Sequence, residues 1–252
     1  MSKVALITGG QQGIGLGVAE ALAGAGFRLA LVAEVDPAHD VVHDALRRLG
    51  DCARYYRHDL RDHAAVEDLL TRIEGDIGPV STLVSNAGIP ARVRGDMLDL
   101  TSENYDVVMD VNLKGAFFLA QAVARRMVSR ASTTYRSILF VTSISAEAVS
   151  VERAEYCISK AGAGMMAQLF AARLAADEIG VFDLRPGIIA TEMTSAAKAA
   201  YDVRIADGLV PARRWGMPED IGQIVVPLAT GQMAFATGAV IPVDGGLSIH
   251  RL

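Results

Sequence analysis

Short apolar blocks alternate along the chain with longer amphipathic stretches. The blocks predict seven strands, at residues 4–8, 28–33, 53–57, 82–85, 138–143, 181–185 and 240–243. The intervening stretches have the i, i+3, i+4 spacing of helices that bury one face. They predict helices at residues 16–25, 41–49, 65–77, 115–128, 155–176 and 218–228. Strands that are apolar throughout are buried on both faces, and helices must follow most of them.

The alternation therefore predicts an α/β fold, with a doubly wound, seven-stranded parallel sheet covered by helices on both faces. No linker or repeat divides the chain, so we expect one domain over residues 1–252. The least regular stretch is residues 191–211, which is polar and rich in alanine. It lies where a mobile lid over an active site is expected.

Composition narrows the range of partners. The 252 residues are 51% hydrophobic and 21% charged, with a net charge of -5, so a large core is expected and a basic surface for nucleic acid is not. The apolar run at the start is too short for a secretory signal, and no later segment offers about 18 continuous apolar residues. We therefore expect a soluble, cytoplasmic protein that binds no membrane.

The cysteines and histidines do not indicate a metal site. Cys52 and Cys157 are far apart and lack histidines at ligand spacing, so neither a disulfide nor a zinc site is expected. His39 and His43 have the i, i+4 spacing of a helix face, but no third ligand lies near them in the sequence. We expect this pair on a solvated helix face and no bound metal.

A glycine-rich turn joins the first predicted strand to the first predicted helix. Its glycines allow a tight turn and let a pyrophosphate approach backbone N–H groups at the start of the helix. The spacing Gly-x-x-x-Gly-x-Gly differs from the commoner Gly-x-Gly-x-x-Gly, so an ordinary tight β–α turn is the alternative. The predicted dinucleotide contacts of this turn are Gly9, Gln11, Gln12, Gly13, Ile14 and Gly15.

Tyr156 and Lys160 lie four residues apart on a predicted helix, and Ser143 precedes them at the end of a strand. A free tyrosine has a pKa of about 10 and is a poor base at neutral pH unless a nearby cation stabilises its phenolate. The i, i+4 spacing places Lys160 on the same face, where it can be that cation. A proton shuttle beside a hydride carrier predicts an alcohol/ketone oxidoreductase.

Together these motifs resemble the classical short-chain dehydrogenase/reductase family over essentially the whole chain, which implies a Rossmann fold. The resemblance implies a catalytic tetrad of Asn112, Ser143, Tyr156 and Lys160. In it, Ser143 holds the substrate oxygen and Asn112 carries an ordered water that links Lys160 to solvent. Further cofactor contacts are implied at Asp59, Leu60, Asn86, Ala87, Gly88, Tyr156, Lys160, Pro186, Gly187, Ile189 and Thr191.

The residues after the second strand bear on the choice of cofactor. Glu34 can accept hydrogen bonds from the adenosine ribose, and its carboxylate should repel a 2′-phosphate. Ala33, however, stands where NAD-preferring relatives usually have Asp. Asp36, just before Pro37, is expected to cap a helix. NAD is the favoured cofactor, and NADP is the alternative.

Segments that line the substrate pocket in the family carry a polar mixture of residues here. Its arginines suit an anionic or polyhydroxylated substrate, although such arginines more often lie solvated on a loop surface. We expect a small polar substrate, such as a sugar, a polyol or a hydroxy or oxo acid. The residues concerned are Arg92, Arg94, Ile144, Glu147, Val149, Arg153, Met193 and Tyr201.

Two alternative functions fit the same motifs. One is an NADPH-dependent 3-oxoacyl-(acyl-carrier-protein) reductase, against which Glu34 argues. The other is a non-catalytic dinucleotide-binding sensor, against which the complete tetrad argues. A dehydratase or epimerase is also compatible with the family. The resemblance further implies a homotetramer, for which the small residues 161–164 on the Tyr156 helix permit close helix packing.

Overall fold

The computed structural model describes residues 3–251, and its centre is one parallel sheet. The strand order is 3-2-1-4-5-6-7, and every neighbouring pair is parallel. This confirms the predicted doubly wound α/β fold and all seven strands. The strands are β1 (Lys3–Thr8), β2 (Phe27–Ala33), β3 (Ala53–Arg57), β4 (Thr82–Ser85), β5 (Arg136–Val141), β6 (Ile179–Pro186) and β7 (Val240–Val243).

Helices cover both faces of the sheet and explain why its strands are apolar throughout. Successive side chains of β1 point to opposite faces, so Val4 and Leu6 pack in one apolar layer while Ala5 and Ile7 pack in the other. Helices α3, α5 and α6 contribute to the first layer, and α1, α2 and α9 to the second. The helices are α1 (Gly13–Gly24), α2 (Asp40–Leu49), α3 (Val66–Ile77), α4 (Ser102–Met109), α5 (Ala116–Val128), α6 (Ala154–Leu174), α7 (Glu192–Ser195), α8 (Lys198–Ala206) and α9 (Pro218–Ala229).

Helix α4 was not predicted from the sequence. It begins after Thr101, whose hydroxyl accepts a hydrogen bond from the backbone N–H of Asn104 at 3.3 Å. Only Val108 is buried in this helix, so the apolar periodicity that signals a helix is faint. A π-helical turn, Asp110–Gly115, joins α4 to α5.

The continuous run Ser102–Val128 is long and apolar enough, by length and composition alone, to cross a membrane. Half of its most apolar window is buried inside the protein, as expected for a core helix of a folded domain.

Three local predictions were wrong. The stretch at 191–211, which was predicted to be irregular, is largely helical: Thr191 and Thr194 cap α7 reciprocally, and α8 follows it. The role of this stretch as a lid stays a prediction. Helix α2 is capped by His39, whose Nδ1 accepts a hydrogen bond from the N–H of Val41 at 3.2 Å. Asp36 instead accepts from the N–H of Ala38 at 2.9 Å, because the chain turns once more before α2 begins. Strand β5 also ends two residues earlier than predicted, so Ser143 begins the following turn rather than ending the strand.

Candidate active site

A cleft of about 400 Å³ opens at the carboxyl ends of the strands, where the strand order reverses between β1 and β4. This is the usual ligand position in an open α/β sheet. Two of the predicted site residues, Gly15 and Asn112, are buried and do not line it. The predicted residues that line it are Gly9, Gln11, Gln12, Gly13, Ile14, Glu34, Asp59, Leu60, Asn86, Ala87, Gly88, Ser143, Tyr156, Lys160, Pro186, Gly187, Ile189 and Thr191.

The glycine turn is held against the end of β4 by Thr8, whose importance the sequence did not reveal. The Thr8 hydroxyl accepts hydrogen bonds from the N–H groups of Asn86 and Ala87, each at 2.9 Å. In return, the Asn86 side chain donates to the Thr8 carbonyl at 3.0 Å. These bonds fix the two strand ends that flank the cleft.

The same turn fits the pyrophosphate of a dinucleotide. Gly9 has a φ of +66°, and a Cβ on Gly15 would lie 2.1 Å from the Gly9 carbonyl oxygen, so only glycine fits there. Gln11 is 5% exposed, and its side-chain Oε1 has no hydrogen-bond partner among the described residues. A tight glycine turn at the start of α1 is the arrangement that binds a pyrophosphate. The Gln11 Oε1 is an acceptor, so it suits a donor such as a nucleotide hydroxyl and not a phosphate oxygen.

Gly15→Ala is expected to weaken NADH binding roughly 10- to 100-fold, because the new methyl group must displace the turn backbone. Fluorescence titration with NADH measures this loss. Gly24→Ala, in the same helix, is the matched control because nothing lies within 4 Å of the Cβ position there. Equal affinity of both variants would contradict the assignment of this turn.

The end of the cleft beside β2 and β3, where adenosine is expected, carries more charge than the sequence suggested. Glu34 lines the cleft, while the neighbouring Arg57 donates from Nε to the Glu34 carbonyl at 3.0 Å and pairs with Asp36 at 3.4 Å. The side chain of Asp59 is held by Arg61 at 2.6 Å, and hydrogen bonds from Arg61 lower the pKa of Asp59. His58, which was not predicted, also lines the cleft, and burial lowers its pKa.

Lys160 and Tyr156 meet at the other end of the cleft. The Lys160 side chain is 6% exposed, and its Nζ donates to the Val141 carbonyl at 3.1 Å. This Nζ lies 5.7 Å from the centre of the Tyr156 ring. Ser143 is placed beside them by its turn, in which its Oγ accepts from the N–H of Ser145 at 3.0 Å. The structure thus brings the predicted Ser/Tyr/Lys set to one place.

Asn112 reaches this group from the π-helical turn, a local irregularity that is frequent at functional sites. Its Oδ1 accepts from the N–H of Ile89 at 2.8 Å, and its Nδ2 donates to the Ile89 carbonyl at 3.0 Å and to Ser159 at 3.1 Å. A Cβ on Gly88 would lie 3.2 Å from Asn112 Oδ1 and 3.4 Å from Lys160 Nζ, which shows that these three residues pack closely together. The water-carrying role of Asn112 stays a prediction.

A buried polar network lies behind the Ser143 turn and was not predicted. Arg185 donates from Nε to Asp183 at 2.8 Å and also pairs with Glu147. Asp183 accepts a hydrogen bond from the hydroxyl of Thr142, which directly precedes Ser143. Strand β6 therefore holds both ends of the turn that carries Ser143.

Five of the eight residues predicted for the substrate pocket line the cleft, and three do not. Arg92, Glu147 and Val149 are outside the lining, and Glu147 is used instead by the network of Arg185. Ser145, which was not predicted, lies in the lining as well. The five that line it are Arg94, Ile144, Arg153, Met193 and Tyr201.

Comparison with known proteins identifies the family. Residues 9–248 match the family model described as enoyl-(acyl carrier protein) reductase. A 3-oxoacyl-(acyl-carrier-protein) reductase from Brucella melitensis, solved in complex with NAD, is 45% identical and superposes with a TM-score of 0.95, covering 100% of this chain and 99% of its own. MabA of Mycobacterium bovis, a reductase of the same name, is 34% identical over 99% of this chain and 94% of its own. The 2-dehydro-3-deoxy-D-gluconate 5-dehydrogenase of Escherichia coli is 32% identical over 97% of this chain and 94% of its own.

The chain belongs to the short-chain dehydrogenase/reductase family, and it is an oxidoreductase of that family. Its relatives reduce or oxidise substrates of different chemistry, so membership alone leaves the substrate and the preferred dinucleotide open.

Proposed function

We propose that this protein interconverts a secondary alcohol and a ketone on a small polar molecule, with NAD(H) as the preferred cofactor. The supporting observation is that Lys160, Tyr156 and Ser143 meet in the same cleft as the glycine turn. In this proposal residues 1–252 form a single dinucleotide-binding and catalytic domain.

The chain's own groups account for the movement of the proton. The hydroxyls of Ser143 and Tyr156 hold the substrate oxygen, and Tyr156 gives that oxygen a proton or takes one from it. Lys160, fixed by the Val141 carbonyl, stabilises negative charge on the phenol oxygen. Asn112 supports the site through Ile89 and Ser159. The bound dinucleotide supplies or accepts the hydride at its nicotinamide ring.

Glu34 supports a preference for NADH. Glu34 lies in the cleft lining, where its carboxylate accepts hydrogen bonds from ribose hydroxyls and repels a 2′-phosphate. Arg57 is engaged with the Glu34 carbonyl and Asp36 and is not in that lining, so it does not offset the repulsion. The NAD complex of the Brucella relative agrees with this assignment.

NADH is expected to bind at least tenfold more tightly than NADPH, on the order of the repulsion between two nearby charges. Glu34→Gln is expected to remove most of that difference, because it removes one negative charge. Parallel fluorescence titrations with the two dinucleotides measure both effects. Asp51→Asn is the matched control, since Asp51 is also an exposed acid but lies outside the cleft lining and does not pair with Arg57. A preference for NADPH in the unmodified protein would contradict the assignment.

The second candidate function is an NADPH-dependent 3-oxoacyl-(acyl-carrier-protein) reductase, which is favoured by the names of two relatives. It differs from the first function in its thioester substrate and in its use of NADPH, although the Brucella relative of that name was solved with NAD. Absorbance at 340 nm with sugars, polyols, hydroxy acids and 3-oxoacyl thioesters separates the two functions. Product formation without net redox change would instead indicate a dehydratase or epimerase.

We also propose a cytoplasmic homotetramer. Helix α6 exposes an apolar stripe in which Ile158, Met165 and Leu169 are 47%, 57% and 60% exposed. Of the small residues 161–164, Ala163 and Gly164 are buried and Gly162 packs against Leu113 of the same chain, so the exposed stripe carries this proposal. Light scattering of the purified protein measures its assembly directly.

A further inference from the structure

We propose that Arg153 binds a carboxylate of the substrate, so that the protein acts on free hydroxy and oxo acids rather than on their esters or thioesters. The inference rests on the proposed function and extends it to a substrate class. Arg153 lines the cleft, and its guanidinium carbon lies 5.5 Å from the centre of the Tyr156 ring. A group bound there is adjacent to the oxygen that Tyr156 protonates.

The charge of Arg153 is not balanced within the protein. Among residues 3–251 it forms no ion pair, although its side chain is half-buried. Its Nε donates to the hydroxyl of Ser150 at 3.3 Å and its Nη2 to that of Ser145 at 3.4 Å, and both partners are neutral. A guanidinium has five donors, so several remain for an anion.

Those two bonds also orient the guanidinium. Ser145 belongs to the turn that follows Ser143, and Arg153 directly precedes α6, which carries Tyr156. The groups that hold the reacting oxygen and the group that holds the anion are therefore linked by short, hydrogen-bonded segments. A substrate whose carboxylate lies a few bonds from its carbinol carbon can therefore contact Ser143, Tyr156 and Arg153 at the same time.

The distribution of charge in the cleft favours an anion at this end. Its lining carboxylates are Glu34 and Asp59 at the adenosine end and the exposed Glu192, the first residue of α7. Lys160 and Arg153 lie beside Tyr156 at the substrate end, and Arg94 also lines the cleft. An acidic substrate is therefore attracted to the end that carries the Ser/Tyr/Lys set.

The reaction balances for such a substrate. A 2-hydroxy or 3-hydroxy acid loses the hydride of its carbinol C–H bond to the oxidised dinucleotide and the proton of its O–H bond to Tyr156, giving the oxo acid and NADH. The carboxylate is unchanged and serves only for binding. A thioester has no charge at this position and leaves the Arg153 guanidinium unpaired.

The test compares each of several 2-hydroxy and 3-hydroxy acids, and gluconate, with its own methyl ester. The unmodified protein is expected to prefer the acids. Arg153→Met is expected to lower kcat/KM for the acids about 100-fold, mainly through KM, and for the esters by less than about threefold. Arg153→Lys is expected to recover only part of the loss, because an ammonium does not reproduce the planar fork.

Arg92→Met, in an exposed loop outside the cleft lining, is the matched control and should leave both substrates unaffected. Equal losses on acid and ester in Arg153→Met would overturn the inference, since they would show that Arg153 only supports the Ser145 turn. Turnover of esters without preference for acids would overturn it while leaving the proposed function intact.

If no alcohol were turned over at all, the proposed function would fail, and acid binding would decide the role of Arg153. Quenching of NADH fluorescence by the acids measures that binding. Binding that is lost in Arg153→Met supports the carboxylate site, and binding that is absent or unchanged rejects it.

Discussion

Tyr156→Phe is expected to lower kcat about 1,000-fold, because phenylalanine keeps the ring but has no proton to exchange with the substrate oxygen. NADH affinity is expected to stay within about threefold of the unmodified protein, since the glycine turn is untouched. Steady-state kinetics on the best substrate, together with NADH titration, measure the two quantities separately.

Tyr105→Phe is the matched control for this prediction. Tyr105 lies in α4 and does not line the cleft. The activity of this variant should therefore remain within about threefold of that of the unmodified protein. If the two tyrosine variants retained similar activity, Tyr156 would not be the acid/base group.

Arg185→Leu is expected to lower the free energy of unfolding by about 3–5 kcal/mol, because it leaves the carboxylate of Asp183 buried without a counter-charge. The Asp183 side chain is 1% exposed, and that of Arg185 is 10% exposed. Burial opposes the charge of Arg185, but the hydrogen bonds to Asp183 and Glu147 and the charges of these two carboxylates together outweigh it and raise the pKa of Arg185. Thermal unfolding should show a fall in Tm of roughly 10 °C.

The double variant Asp183→Leu with Arg185→Leu is the control for Arg185→Leu, since removing both charges leaves no unpaired ion. It should regain most of the lost stability but little activity, because Thr142 and Glu147 lose their partners on either side of the Ser143 turn. Glu147→Gln should cost less than about 1 kcal/mol, because the Glu147 side chain is 73% exposed. A double variant as unstable as Arg185→Leu would contradict this account of the network.

The features that could be predicted from the sequence are those with a local cause. Apolar strands predicted the sheet because both faces are covered, and the glycine spacing predicted the turn because Gly15 tolerates no Cβ. The i, i+4 spacing of Tyr156 and Lys160 predicted their proximity because both lie on α6.

Features that depend on distant parts of the chain could not be predicted. The pairing of Asp183 and Arg185 with the Ser143 turn depends on the register of β5 and β6, in which Val141 lies beside Leu184. Asn112 meets Ile89 and Ser159, which are 23 and 47 residues away, through a π-helical turn with no sequence signature. The sequence does not distinguish Arg153 from the other candidate arginines, because only the fold places it beside Tyr156.

Hydride transfer by this protein is tested most directly by following deuterium from NADH that carries the label at C4 of its nicotinamide ring. The oxo substrate that gives the fastest turnover is reduced with this NADH, separately labelled on each face, and the product is analysed by mass spectrometry. We expect one of the two forms to place a single deuterium on the carbinol carbon, with one NADH consumed per product. Product without deuterium from either form, or without NADH consumption, would contradict hydride transfer by this protein.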